Sequence, residues 1–356
     1  MLEKRLKNYK PYDFASSCSF YLGAIIVTLI IQGVAGVVAA AMNSAVPDIA
    51  ENGDFNTAFM IVFQVANAGF IILFSYVRKS KFSFSYVKEK TTDKPLNAMC
   101  FVVPIVGAAV LMAALYLPTV WYGYLTEAIG IPEGTGNIEL TTPSSIVMIV
   151  IASVLLAPLF EETIFRGVLL HGLKEEYSAL KAVLLSSLAF MLMHMSPLQV
   201  VFQFGLGVAS AYIAIKSGRL LPSVLLHATA NALALVIQMT PLSIVLYDCQ
   251  AWLTQNVAAA VFITLGLFVA GFAAIFLLVP LAFGKGLPFG KKKNTAAEDD
   301  AANADNSSPA AADIAAIHDA AVREVRKREG LLKYWIAAGI SAAMFIINLV
   351  SGIIST

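Results

Sequence analysis

An all-α fold, a polytopic transmembrane helical bundle of about nine spans, is the class this sequence predicts. Three observations predict it. The 356 residues are 58% hydrophobic and only 13% charged, with a mean hydropathy of +0.77, outside the usual composition of soluble globular chains. Apolar runs at or above the roughly 18 residues that mark a transmembrane helix recur along the chain. The loops between those runs alternate between basic and Lys/Arg-free, the pattern that orients membrane helices.

The first run, about residues 18–42, follows Lys4, Arg5, Lys7 and Lys10. It is too long for the apolar part of a cleaved signal peptide and long enough to span, so it reads as a retained helix. Further spans fall near 57–77, 97–117, 144–173, 179–195, 198–216, 220–241, 257–282 and 332–354. The segment after the second span is basic (Arg78, Lys79, Lys81, Lys88, Lys90, Lys94). Lys174 and Lys181, then Lys216 and Arg219, then Lys285 and Lys291 to Lys293, mark later loops on the same side. The other loops carry acids and no Lys or Arg: Asp48, Glu51 and Asp54, then Glu127, Glu133 and Glu139, then Asp248. The positive-inside rule makes this an integral membrane protein with a cytoplasmic N-terminus, cytoplasmic basic loops and an outside C-terminus. Trp121, Tyr122, Tyr124 and Trp252 suit the outer interface, where amphipathic rings settle at headgroup level.

From these runs the chain divides into N-terminal membrane helices (1–142), a membrane core (143–241), an eighth span (242–284), a cytoplasmic linker with a helix (285–331) and a C-terminal span (332–356). The linker is rich in Ala, Asp, Asn and Ser and has too little apolar content to bury a core. From Ala310 to Arg328 its Ala, Glu and Arg favour a helix that can run into the last span. Cys18, Cys100 and Cys249 are few and scattered, which excludes a disulfide framework and a cysteine metal site. The net charge of +1 gives no sign of nucleic acid as a partner, and no phosphate-binding or dinucleotide fingerprint occurs. The sequence sets no oligomeric state.

Within the fourth run, Glu161, Glu162 and Arg166 are energetically out of place. An ionisable group at bilayer depth costs about 2.5–3.5 kcal/mol on insertion scales, so such groups face a protein interior or a water-filled cavity. Glu162 and Arg166 are spaced i,i+4 and can pair. His194 ends the fifth run, four residues after Phe190, while His227 and Asn231 share one face of the seventh. Taken singly, each has a structural explanation as an interhelical bond or ion pair. Three spans that each bring acid, imidazole or amide to membrane depth point instead to one shared polar cavity. A carboxylate beside imidazoles can deprotonate a water and return the proton to a leaving amine. Another imidazole and an amide can donate to an oxyanion. H-E-x-x-H is absent, yet zinc held by Glu161, His194 and His227 is chemically possible.

The set Glu161-Glu162-x-x-x-Arg166, Phe190-x-x-x-His194 and His227-x-x-x-Asn231, with Phe165-Arg166-Gly167 and Ser217-Gly218-Arg219-Leu220-Leu221-Pro222 around it, resembles the CPBP family. These are the CAAX prenyl endopeptidases and the bacteriocin-processing or self-immunity intramembrane proteases. The resemblance covers roughly residues 143–240 and implies a catalytic core of four to five helices. It implies that Glu161 is the base that activates water, assisted by His194. His227 and Asn231 would then form the oxyanion site, with Glu162, Arg166 and Phe190 in support. It further implies a metal-free glutamate mechanism with no cofactor, a membrane-associated or lipidated peptide or protein as substrate, and a bacterial plasma membrane as the setting. Two other functions use the same groups: a non-catalytic peptide-binding or bacteriocin-immunity protein, and a small-molecule or proton-coupled transporter.

Overall fold

The computed structural model describes residues 10–43, 46, 52–78, 80–81, 97–131, 142–283 and 309–354. Apart from a two-residue parallel bridge, with Lys10 paired to Ser80 and Pro11 to Lys81, these residues form ten helices. They are α1 (Phe14–Asn43), α2 (Gly53–Arg78), α3 (Met99–Ala128), α4 (Pro143–Glu176), α5 (Ala179–Met193), α6 (Val200–Ser217) and α7 (Leu221–Met239). They continue with α8 (Leu242–Gln255), α9 (Val257–Phe283) and α10 (Pro309–Ile354). Eight helices are long and apolar enough to cross a membrane, which makes the chain an all-α, polytopic integral membrane protein.

The fifth expected span departs from the rest. α5 has 15 residues and rises about 22 Å, short of the roughly 30 Å hydrocarbon core. It stops because Met195 takes a left-handed conformation (φ 50°) and Pro197 opens a short turn of 3₁₀ helix. The helix therefore stops short of a full crossing, with His194 as its C-terminal cap. α8 occupies what the sequence reads as a loop. α10 is a single helix of 46 residues, about 70 Å long, so the helix expected from Ala310 does run into the last span.

The ends of the helices sort by loop charge. Asp54 at the start of α2 accepts from Thr142 Oγ1 (2.6 Å) and Ser144 Oγ (3.0 Å) at the start of α4, joining two acidic loops. Trp121 Nε1 donates to Thr264 Oγ1 at 2.9 Å, and Gln250 Nε2 donates to the Tyr124 hydroxyl at 2.8 Å, fastening α3 to α9 and α8. At the opposite end Arg326 pairs with Asp13 (3.4 Å) and Lys327 with Glu176 (2.5 Å), so α10 meets the N-terminus and the α4–α5 turn. Asp48, Glu51, Glu133, Glu139, Lys79, Lys88, Lys90, Lys94 and the linker lysines lie outside the described residues.

The core forms where α4 to α7 pack on α1 and α3. Small residues permit the closest approaches: the Gly207 Cα on α6 lies where any Cβ would press on Ser187 of α5. Gly218 closes α6 in the left-handed conformation (φ 68°), which costs a residue without a Cβ nothing and lets α7 fold back at once. Cys18 and Cys100 are buried and Cys249 is exposed, all as free thiols.

Candidate active site

α4 is α-helical only in pieces. Val150–Leu156 and Thr163–Leu169 are π-helical, and Ala157–Glu162 between them is α-helical. Pro158 explains the first departure, since it has no N–H to donate. In the wider register Ala157 N–H reaches back five residues to Ala152 O, and the equivalent bond to Ser153 O is the one Pro158 cannot make. Asn231 Nδ2 on α7 supplies it instead, at 2.7 Å. Helical defects of this kind recur at functional sites, and here two of them frame the glutamates.

Arg166 is the largest fully buried side chain among the described residues. Its NH1 lies 3.1 Å from Glu162 Oε1 and its NH2 donates to Gly207 O at 2.9 Å. The guanidinium stacks on the Phe190 ring at 4.5 Å. The i,i+4 pair read from the sequence is therefore formed, but Glu162 does more than neutralise Arg166. The same Oε1 accepts from His227 Nδ1 at 3.0 Å. Glu162 thus joins α4 to α7 and fixes the plane and tautomer of His227. Phe190, edge-on to both His194 (4.9 Å) and His227 (5.6 Å), holds the rings apart.

Glu161 faces the other nitrogen of each ring. Its Oε2 lies 3.9 Å from His194 Nε2 and 4.0 Å from His227 Nε2, and it has no direct hydrogen-bond partner. His194 Nδ1 sits 2.9 Å from Phe190 O; a carbonyl only accepts, so that nitrogen carries the proton. His227 Nδ1 donates to a carboxylate by the same logic. In the neutral rings both Nε2 atoms are therefore acceptors turned toward Glu161. Separations near 4 Å exceed a direct hydrogen bond but suit one bridged by water. Glu161 and His194 arrive level because they are nearly equidistant from the α4–α5 turn at Ser178. Exposure falls from the His194 side chain (19%) through Glu161 (9%) to His227 (3%), so His194 stands at the mouth.

The structure brings together Glu161, Glu162, Arg166, Phe190, His194, His227 and Asn231, all seven residues singled out in the sequence. Zinc would draw its ligands to within roughly 3.4 Å of one another at Zn–N and Zn–O distances of about 2.0–2.1 Å. The separations here are wider. Among the described residues no group of three or more His, Cys, Asp or Glu side chains is arranged to hold a metal ion.

Sequence reasoning missed several contributors. Asn348 on α10 donates Nδ2 to Met195 O at 2.6 Å, bracing the left-handed residue beside His194. A cavity of about 490 Å³ leads to Glu161, His194 and His227. Gln64 of α2 and Gln203 of α6 line it. Asn and Gln in apolar runs usually bond a neighbouring helix, so nothing in their spacing marks them out.

Eight apolar helices and buried carboxylates with imidazoles at their centre define a polytopic membrane protein with the groups of an acid–base hydrolase. Residues 143–233, about a quarter of the chain, match the family model described as "Type II CAAX prenyl endopeptidase Rce1-like", in line with the family that the motifs in this segment resemble. α1, α2, α3, α8, α9 and α10 lie outside the match. No curated protein and no solved structure matches the chain.

Proposed function

We propose that this protein is an intramembrane endopeptidase that hydrolyses a peptide bond of a membrane-associated or lipidated protein with water activated by Glu161. One observation carries the reading: an otherwise unbonded Glu161 Oε2 is turned toward two imidazole Nε2 atoms, each ring held from behind through Nδ1. Water received between these groups gives a proton to Glu161 while its oxygen adds to the scissile carbonyl carbon. Glu161 then returns the proton to the leaving amine as the C–N bond breaks. His194 fixes the second hydrogen of that water.

The oxyanion roles divide unequally. His227 commits Nδ1–H to Glu162, so donation from Nε2 requires the doubly protonated ring. Asn231 gives one N–H to Ser153 O and keeps a second for the oxyanion, which makes it a donor that also ties α7 to α4. The membrane is a bacterial plasma membrane in this reading, with the basic loops and the N-terminus cytoplasmic and the C-terminus outside.

The test is cleavage of a panel of lipidated and unmodified membrane peptides by purified protein. Wild type is expected to cleave a member that Glu161→Gln binds but leaves intact. Equal product from both would refute Glu161 as the base; binding without cleavage by either would leave a peptide-binding or immunity protein.

A further inference from the structure

Five of the chain's seven glutamines line the cavity that leads to Glu161: Gln32, Gln64, Gln199, Gln203 and Gln238. They come from four segments, α1, α2, α7 and the start of α6, so no helical repeat explains the gathering. Gln32, Gln199 and Gln238 are exposed, while Gln64 is 3% exposed, which grades the set from mouth to interior. Gln203 Nε2 donates to Gln199 Oε1 at 3.2 Å, and this leaves Gln203 Oε1 buried without a hydrogen-bond partner. Gln64 Oε1 is in the same condition. An unpaired buried acceptor is costly and rare in a folded protein. Two from different helices, both lining one cavity beside the reactive carboxylate, define what enters by what they lack: N–H donors.

The rest of the lining narrows the ligand. Among the described residues no Lys or Arg lines the cavity, and its ionisable groups are Glu161, His194 and His227. A carboxylate or phosphate finds no Lys or Arg there. Phe59, Met60, Phe63 and Leu235 supply apolar wall. A peptide offers backbone N–H groups, but in a helix these are already bonded to its own carbonyls. Only an extended or unwound stretch can give them to glutamine, as in strand-type peptide recognition.

We infer that Gln64 and Gln203 recognise the substrate backbone, accepting N–H groups from an uncharged, locally unwound, apolar peptide segment. This rests on the proposed reading of the cavity as a peptide site and adds the substrate class. It also gives α2, outside the matched family segment, a part in choosing which segments enter.

The experiment separates binding from cleavage. Full-length protein carrying Glu161→Gln is titrated with a fluorescein-labelled, end-capped octapeptide of Ala, Leu and Ser, and with versions N-methylated at one backbone nitrogen each. Methylation at two positions is expected to weaken binding about tenfold, the scale of one hydrogen bond lost to a buried acceptor. Gln64→Met should weaken the parent peptide similarly and erase the methylation effect at one position; Gln203→Met should erase the other. Gln64→Leu and Gln203→Leu repeat the test if a methionine variant fails to fold. A flat methylation scan, unchanged sensitivity in the variants, or no binding of the capped peptide overturns the inference. Wild type that binds with the expected pattern but cleaves nothing would end the endopeptidase reading and leave this one standing. Cleavage with a flat scan would do the reverse.

Discussion

Glu162→Gln separates the two adjacent glutamates by stability. Glu162 and Arg166 are both fully buried, and one Glu162 oxygen serves the guanidinium at 3.1 Å and His227 Nδ1 at 3.0 Å. A glutamine keeps the shape and can still accept from one of them, but it takes away the carboxylate charge that faces the buried Arg166 guanidinium. Removing one member of a buried ion pair costs about 3–5 kcal/mol. Glu161→Gln leaves the ion pair intact, and the oxygen it alters has no direct hydrogen-bond partner, so its cost should stay below about 1 kcal/mol, the net worth of an ordinary hydrogen bond. Reversible unfolding of purified protein in mixed detergent micelles measures both. The double variant Glu162→Gln/Arg166→Met should recover much of the loss, since removing both charges removes the penalty, while activity stays low because His227 has lost its charged anchor. Equal destabilisation by the two single variants, or a Glu162→Gln cost under about 1 kcal/mol, would refute the ion pair as the element that holds α4, α6 and α7 together.

Asn348→Leu should leave the matched family segment untouched and still lower kcat about tenfold, as the Met195 turn and the His194 ring lose their brace; a Leu variant with wild-type kcat at equal folded fraction would rule this out. Asn231→Ala should reduce turnover by about 10²–10³, the usual loss for one oxyanion donor, and also expose the α4 defect at Ser153 to proteolysis. Enzyme treated with chelator and verified zinc-free by elemental analysis should keep its activity; loss on chelation and return with zinc would make Glu161, His194 and His227 ligands. A cysteine introduced by Asn294→Cys should resist impermeant reagents added outside intact cells, and labelling there would invert the orientation.

Which parts of this site a single sequence can reveal follows from solvation. Glu161, Glu162, Arg166, His194 and His227 stood out because a titratable group inside an apolar run has few tolerable explanations. Glutamine and asparagine cost less there, so nothing in the sequence marks out Gln64, Gln203 or Asn348. The contact between Glu162 and His227 joins two spans whose relative rotation no spacing encodes. The i,i+4 rule found Arg166 for Glu162 and stopped there. Hydropathy likewise placed a fifth span over 179–195, because composition does not register the left-handed turn at Met195 that ends α5 at His194.

The same physics explains why the helices outside the matched segment are parts of the site rather than additions to it. Within α4 to α7 the charged centre is held by Arg166, Glu162 and Phe190. The segment does not close its own cavity: Phe59, Met60, Phe63 and Gln64 of α2 supply wall. Nor does it secure the residue after His194, whose carbonyl is held by α10. A left-handed, non-glycine residue persists only where its surroundings over-determine it, and for Met195 part of that surrounding is Asn348. The acid–imidazole cluster is thus local to the matched segment, while the wall of its cavity and the setting of one imidazole are distributed over α2 and α10. Exchanging α2 for an apolar helix without Gln64 is therefore expected to change which peptides are cleaved more than how fast a bound one reacts; a change in kcat alone, with an unaltered substrate panel, would break this division.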